Sequence, residues 1–201
     1  MKDITIGMAL SLIAVTGIAS AEGIAPSGTY VNDAAHTRLL WSIRHMGLSN
    51  YTARVNDVSI TLEYDADDIA ASTVRADIDP RSVDTAFPGE KDFNAEISDD
   101  PRILNAAEFP SISFVSRRVT ATGDNTAEVE GDLTLLGVSR PVTLNATLNG
   151  KLAEHPFMKV PAIGFTAEAS FDRTDFGLEF LSGPILGDQV DIVIQAEFIK
   201  Q

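Results

Sequence analysis

The sequence predicts an all-β chain of eight antiparallel strands, closed as a barrel or stacked as a sandwich. Eight short stretches alternate apolar with polar residues, no repeated strand-helix-strand unit separates them, and turn-forming Gly, Pro, Asn and Asp punctuate them. The run Gly131-Asp132-Leu133-Thr134-Leu135-Leu136-Gly137-Val138-Ser139-Arg140-Pro141-Val142 is the clearest case. Its period of two places Val129, Leu133 and Leu135 on one face and Glu130, Asp132 and Thr134 on the other. Gly137 and Pro141 break the pattern and Val142, Leu144, Ala146 and Leu148 resume it, so a tight connection joins two neighbouring strands.

Before the first strand, Lys2 precedes an apolar stretch from Ile4 to Ile18, and Ala19-Ser20-Ala21 has the small-x-small form of a signal-peptidase site. Cleavage after Ala21 and export are expected. The stretch is too short and too rich in Gly, Ala and Ser for a membrane span, which needs roughly 20 strongly apolar residues. Residues 22–201 then form one domain, long enough to bury a core and undivided by any linker. The chain has no cysteine, so it forgoes disulfides and lacks the residue that lipid attachment at a signal cleavage site requires. A soluble periplasmic protein is expected, or a secreted one if the host has no outer membrane. The formal charge of -14 disfavours nucleic acid as a partner and reads as a solvated, self-repelling surface.

The first strand runs from about His36 to Met46, with Thr37, Leu39, Trp41, Ile43 and His45 on one face, and Gly47-Leu48-Ser49-Asn50 reads as a turn. The second aligns Val58, Ile60, Leu62 and Tyr64 and stops at the polar cluster Asp65-Ala66-Asp67-Asp68; the third holds Val74, Ala76 and Ile78 and ends at Pro80. From Thr85 to Ala107 the alternation ceases. There, helix-like stretches at Lys91 to Ile97 and after Pro101 suggest a segment crossing one end of the barrel. Ile112 and Phe114 open strand four, Thr126 to Leu136 and Arg140 to Leu148 are five and six, and Ile163 to Arg173 and Gln189 to Ile199 are seven and eight. Closing eight strands removes exposed edges and leaves an interior that is either filled or holds one small ligand. Ala76, Ala146, Ala167, Ala169 and Ala196 on the apolar faces favour free volume, although small residues also serve packing in tapered barrels.

Catalytic chemistry finds no foothold. His36 and His45 are an odd number of residues apart and point to opposite faces of an unbroken strand, so no metal site is expected from them. The Asp65 cluster lacks the Gly and Glu that a calcium loop needs at its sixth and twelfth positions, where Ala70 and Ala76 stand. No nucleophile elbow, phosphate loop or dinucleotide fingerprint occurs. Arg173 in Asp172-Arg173-Thr174-Asp175-Phe176-Gly177 shares parity with Phe165 and Phe171, which leaves two readings: an anionic-headgroup contact near the mouth of the interior, or a structural pair with Asp172 or Asp175.

Five stretches stand in order along the chain: Tyr30, Asp33, His36 and Trp41-x-Ile43-x-His45-x-Gly47; Arg81-Ser82-Val83-Asp84-Thr85 after Ile78; Phe109-Pro110-Ser111-Ile112-Ser113-Phe114-x-Ser116; Gly131 to Leu135 with Gly137-Val138-x-Arg140-Pro141-Val142; and Asp172-Arg173-x-Asp175-Phe176-Gly177. As an ordered set they resemble the YceI-like family, periplasmic lipocalin-like proteins associated with polyisoprenoid or lipid binding. Where the family usually has a glycine and an aromatic before strand two, this chain has Ala53 and Val55. Ile103 or Leu104 stands where an aromatic commonly precedes the Phe-Pro motif. The resemblance implies an extended eight-stranded lipocalin-like antiparallel barrel with a short helical excursion between strands three and four, an apolar tunnel, and often a homodimer.

Together these readings give a non-enzymatic carrier or sensor of a long apolar molecule, such as a polyisoprenoid, isoprenoid quinone, fatty acid or fatty amide, with no cofactor. Its expected walls are Leu39, Trp41, Ile43, Ile60, Leu62, Phe114, Leu133, Leu135, Phe165, Phe171, Ile192 and Ile194, with His45 and Arg173 as headgroup candidates. The same residues would also make a filled core. An alternative is an envelope interaction or stress-response module working beside a membrane cytochrome or quinone system.

Overall fold

The computed structural model describes residues 25–201; the expected export signal and cleavage after Ala21 lie outside the described residues. Its strands are β1 (Gly28–Asn32), β2 (Arg38–His45), β3 (Ser49–Val55), β4 (Val58–Tyr64), β5 (Thr73–Ile78), β6 (Val83–Asp84), β7 (Ile112–Ala121), β8 (Thr126–Leu135), β9 (Val138–Leu152), β10 (Ala162–Asp172) and β11 (Leu186–Lys200). One helix, α1 (Phe93–Asp99), interrupts the series between β6 and β7.

All eleven strands lie in one antiparallel sheet that closes where β1 meets β11. Several of them are halves of one longer stave. β1 and β2 run in succession along β11, with Tyr30 opposite Lys200 and Arg38 opposite Gln195. The following segments keep that division, β3 pairing with β2 and β4 with β1, while β5 pairs with β4 and β6 with β3. The result is a closed barrel of eight antiparallel staves, as the alternation predicted.

The breaks within staves have local causes. At the first, the Asp33 carboxylate accepts from Ala35 N at 2.9 Å and meets His36 Nδ1 at 2.8 Å, winding Ala34–His36 into a 3-10 turn, so His36 is not in a strand. Three strands escaped the sequence reading: β1, five residues long with only Tyr30 fully buried; β3, whose inward positions Tyr51, Ala53 and Val55 make a weak apolar stripe; and β6, only two residues long. Ser49 and Asn50 belong to β3; the turn is Met46 to Leu48, carried by left-handed Met46 (φ 50°) and Gly47 (φ 69°). The Asp65 cluster is a turn in which Asp65 Oδ1 accepts from the amides of Asp67 and Asp68.

In the excursion, Asp92 caps α1 by accepting from Ala95 N at 2.9 Å, and Pro101 holds Asp100 extended (ψ 123°), which stops the helix. The helix expected after Pro101 is instead a chain of turns. Asp100 O accepts from the amides of Ile103 and Asn105, and Asn105 is left-handed (φ 44°), which a continuing helix excludes. Ile97 anchors the excursion in the core, and buried Ser98 donates to Pro80 O at 3.0 Å.

Two glycines of the Gly131 to Val142 run have distinct reasons. Gly137 (φ 72°) follows Leu136 (φ 52°) in a two-residue hairpin turn that demands left-handed backbone, and Phe109 of the Phe-Pro motif lies against it. Gly131 sits on the inward face of β8, where a Cβ would collide with the Phe114 ring and lie 2.6 Å from Val115 O. Gly131→Ala is therefore expected to destabilise the fold by about 1–3 kcal/mol through overpacking, read from the chemical-denaturation midpoint.

The Asp33 hydrogen bond raises the His36 pKa above its ordinary 6.5, and the same contact lowers that of Asp33. Stability from protonated His36 is present below its unfolded pKa and lost as pH rises through the raised folded value. In an NMR titration Asp33→Asn should move the His36 midpoint down; an unmoved midpoint would show that Asp33 does not hold the ring.

Candidate ligand-binding cavity

The barrel interior divides along its axis into a filled half and a hollow half. At the filled end, beside the excursion, Val55, Val83, Ile97, Leu135 and Phe176 are buried together, with Trp41, Ile103, Leu104 and Phe171 against them. Aromatic edges lock this end: Phe171 and Phe176 meet nearly perpendicular at 5.4 Å, and Trp41 leans on Tyr51 at 6.0 Å. Toward the other end the inward positions become small. Ala76, Ala127, Ala146, Ala167 and Ala196 share the walls with Phe114, Phe165 and Phe198, and a cavity of about 370 Å³ remains between them. That size falls within the range of small-molecule pockets.

Strand parity sets the lining. β4 contributes Val58, Ile60, Leu62 and Tyr64; β8 contributes Ala127, Val129 and Leu133; β9 contributes Val142, Leu144, Ala146 and Leu148. β11 supplies Ile192, Ile194, Ala196 and Phe198 across from Ala167 and Phe165 of β10. Polar residues gather where the β4–β5, β7–β8 and β9–β10 connections surround the open end: Ser72, Asp124, Asn125, Thr126 and Lys151. The interior offers an aliphatic and aromatic wall, no cluster of metal-ligating groups occurs among the described residues, and such a space shelters hydrocarbon.

Of the residues the sequence pointed to, Leu39, Ile60, Leu62, Phe114, Leu133, Phe165, Ile192 and Ile194 line the cavity. Trp41, Ile43, His45, Leu135 and Phe171 do not; they share the inward parity but lie nearer the filled end. Trp41 sits opposite Ile192, a lining residue, without joining the lining, and half-buried His45 sits opposite Leu186 at the end of β2. Lys151 and Ser72 were missed because they are polar and follow irregular backbone, whereas Val129, Leu144, Ala146 and Leu148 were visible as one apolar face.

Arg173 needs correcting as a headgroup contact. It is 2% exposed, outside the cavity lining, in the 3-10 turn Arg173–Phe176 that Asp172 caps by accepting from Thr174 N. Its Nη1 donates to the carbonyls of Leu178 at 2.5 Å and Phe180 at 3.0 Å, its Nε to Gly187 at 3.0 Å, and its Nη2 to Leu186 at 3.4 Å. The nearest carboxylate is Asp188 at 3.7 Å, rather than Asp172 or Asp175. Burial pulls its pKa below the ordinary arginine value, offset by Asp188 and then Asp172. The guanidinium is a staple that ties the segment from Leu178 to Gly187 to the barrel end.

Comparison with known proteins agrees with this architecture. The model of the YceI-like domain matches residues 30–198. The chain belongs to the YceI-like family. A UPF0312 protein of Pseudomonas fluorescens is 34% identical over 170 residues, covering 84% of each chain. Among solved structures, BcnA of Burkholderia cenocepacia superposes with a TM-score of 0.72 at 21% identity, over 83% of this chain and 98% of that one. A polyisoprenoid binding domain from Saccharophagus degradans gives a TM-score of 0.63 at 15% identity, covering 87% and 99%. Both likenesses are of fold.

Because Arg173 serves backbone carbonyls in this YceI-like chain, Arg173→Leu should cost about 2 kcal/mol or more of stability by leaving buried acceptors unpaired. Thermal melting reads that loss. A variant as stable as the parent would mean the carbonyls find other donors.

Proposed function

We propose that this protein is a non-enzymatic, exported carrier or sensor that holds one apolar chain in the hollow half of its barrel. The observation that carries this reading is the cavity of about 370 Å³ with a hydrocarbon wall, and with its few polar lining residues gathered at one end. A methylene is comparable in bulk to a water molecule, whose share of liquid volume is about 30 Å³, so roughly a dozen such groups fit inside. At about 0.8 kcal/mol for each buried methylene, a chain of that length gains on the order of 10 kcal/mol before the entropic cost of binding. The family supports the same reading, since one structural relative is described as a polyisoprenoid binding domain. A longer isoprenoid would leave its remaining units outside the mouth.

Organic extraction and native mass spectrometry of the purified protein test this directly. A stoichiometric acyl or prenyl species, or uptake of a twelve-carbon probe by the empty protein, is the expected result. Replacing Ala167 with Phe fills the cavity from its wall and should abolish probe uptake while the circular dichroism spectrum is kept. Undiminished uptake by that folded variant would place the ligand elsewhere.

A further inference from the structure

Strand β9 carries an irregularity at the point where it reaches the cavity mouth. Leu148 faces Phe165 on β10, but Gly150 faces Gly164, so β9 advances two residues while β10 advances one, and Asn149 is the extra residue. Such a bulge reverses parity. Before it the inward residues of β9 are Val142, Leu144, Ala146 and Leu148; after it the inward position is Lys151, opposite Ile163, which is 1% exposed. A lysine that simple alternation would not join to the even-numbered apolar face is thereby turned toward the barrel opening.

Lys151 is the only cation among the cavity-lining residues. Its charge is also uncommitted. The other lysines of this end are engaged: Lys159 pairs with Glu154 at 3.3 Å, and Lys200 donates to Ser27 O at 2.9 Å while lying over the Tyr30 ring. Among the described residues Lys151 enters no ion pair, although Asp124 also lines the mouth from the β7–β8 turn. In a chain of net charge -14, a half-buried ammonium without a carboxylate partner at the rim of an apolar bore is placed to meet an anion delivered by the ligand.

We infer that the cavity selects single-chain amphiphiles with an anionic head, a carboxylate or a phosphate monoester, and that Lys151 is the residue that holds this head at the mouth while the tail descends between Phe114 and Phe165. This rests on the carrier reading above and adds the head chemistry and its contact. The tail supplies most of the affinity and the ammonium supplies discrimination, since a partly solvated charge pair is a modest addition to a large apolar term.

The test measures displacement of a fluorescent alkyl probe from the full mature chain by dodecanoate, dodecyl phosphate and dodecanol, for the parent and for Lys151→Met and Lys151→Arg. The parent should prefer at least one of the two anions to the alcohol by about tenfold, less at high salt. Which anion is preferred tells carboxylate from phosphate. Lys151→Met should erase the preference, and Lys151→Arg should retain it. Equal affinity for all three ligands in the parent, or a preference that survives in Lys151→Met, overturns the role of Lys151 while the carrier reading stands. Failure of every ligand to displace or bind in the parent overturns the carrier reading itself.

Discussion

The structure depends on β11 pairing along both of its edges. One edge takes β10 from Phe198 to Gln189 without a break in register, and the other takes β2 and then β1. This fifteen-residue strand closes the sheet, leaving the ring without a free edge through the cavity-bearing half. Closure also fixes parity. Once the ring is formed, every even position of β11 from Val190 to Phe198 faces inward, and each neighbouring strand must present its matching set. A slip of one residue at a seam would turn the outward, mostly polar set of a strand to where hydrocarbon belongs.

Size, rather than polarity, then separates the two halves of the interior. Both are apolar, and both are framed by the same staves. Leu135 and Phe171 continue the faces that carry Leu133 and Ala167, yet near the excursion they meet Ile97 and Phe176 from outside the ring. At the other end no such element descends among the described residues, and alanine on five strands leaves room. The helical excursion and the Arg173 staple thus act together at the closed end. They fill and tie down one end of a tube whose other end stays accessible.

Much of this was legible in the sequence, because alternation reports facing reliably in long uninterrupted strands. The walls built by β4, β8, β10 and β11 follow from it. It reports depth poorly: Trp41 and Leu39 look alike by parity, but only Leu39 reaches the cavity. It also fails at irregular backbone. The split first stave hid β1 behind the Asp33 turn, and the bulge at Asn149 hid Lys151. Arg173 shows a third limit, since its parity with Phe165 and Phe171 was correctly read up to Phe171, yet Asp172 bends the chain into a 3-10 turn one residue later and sends the guanidinium to carbonyls.

The cavity lining stops, on β2 and β11, at the level where Trp41 faces Ile192, and inward side chains set that stop. Backbone continues past it on every stave. Its position is therefore a property of a few interchangeable residues on a constant frame, and trimming or enlarging them would slide the stopper along the axis. Strands rise about 3.3 Å per residue and tilt by roughly 40° in a barrel, so each inward layer moved shifts the stop by about 5 Å along the axis. A lineage built on this scaffold can in this way retune the length of its cavity without disturbing a single ladder hydrogen bond.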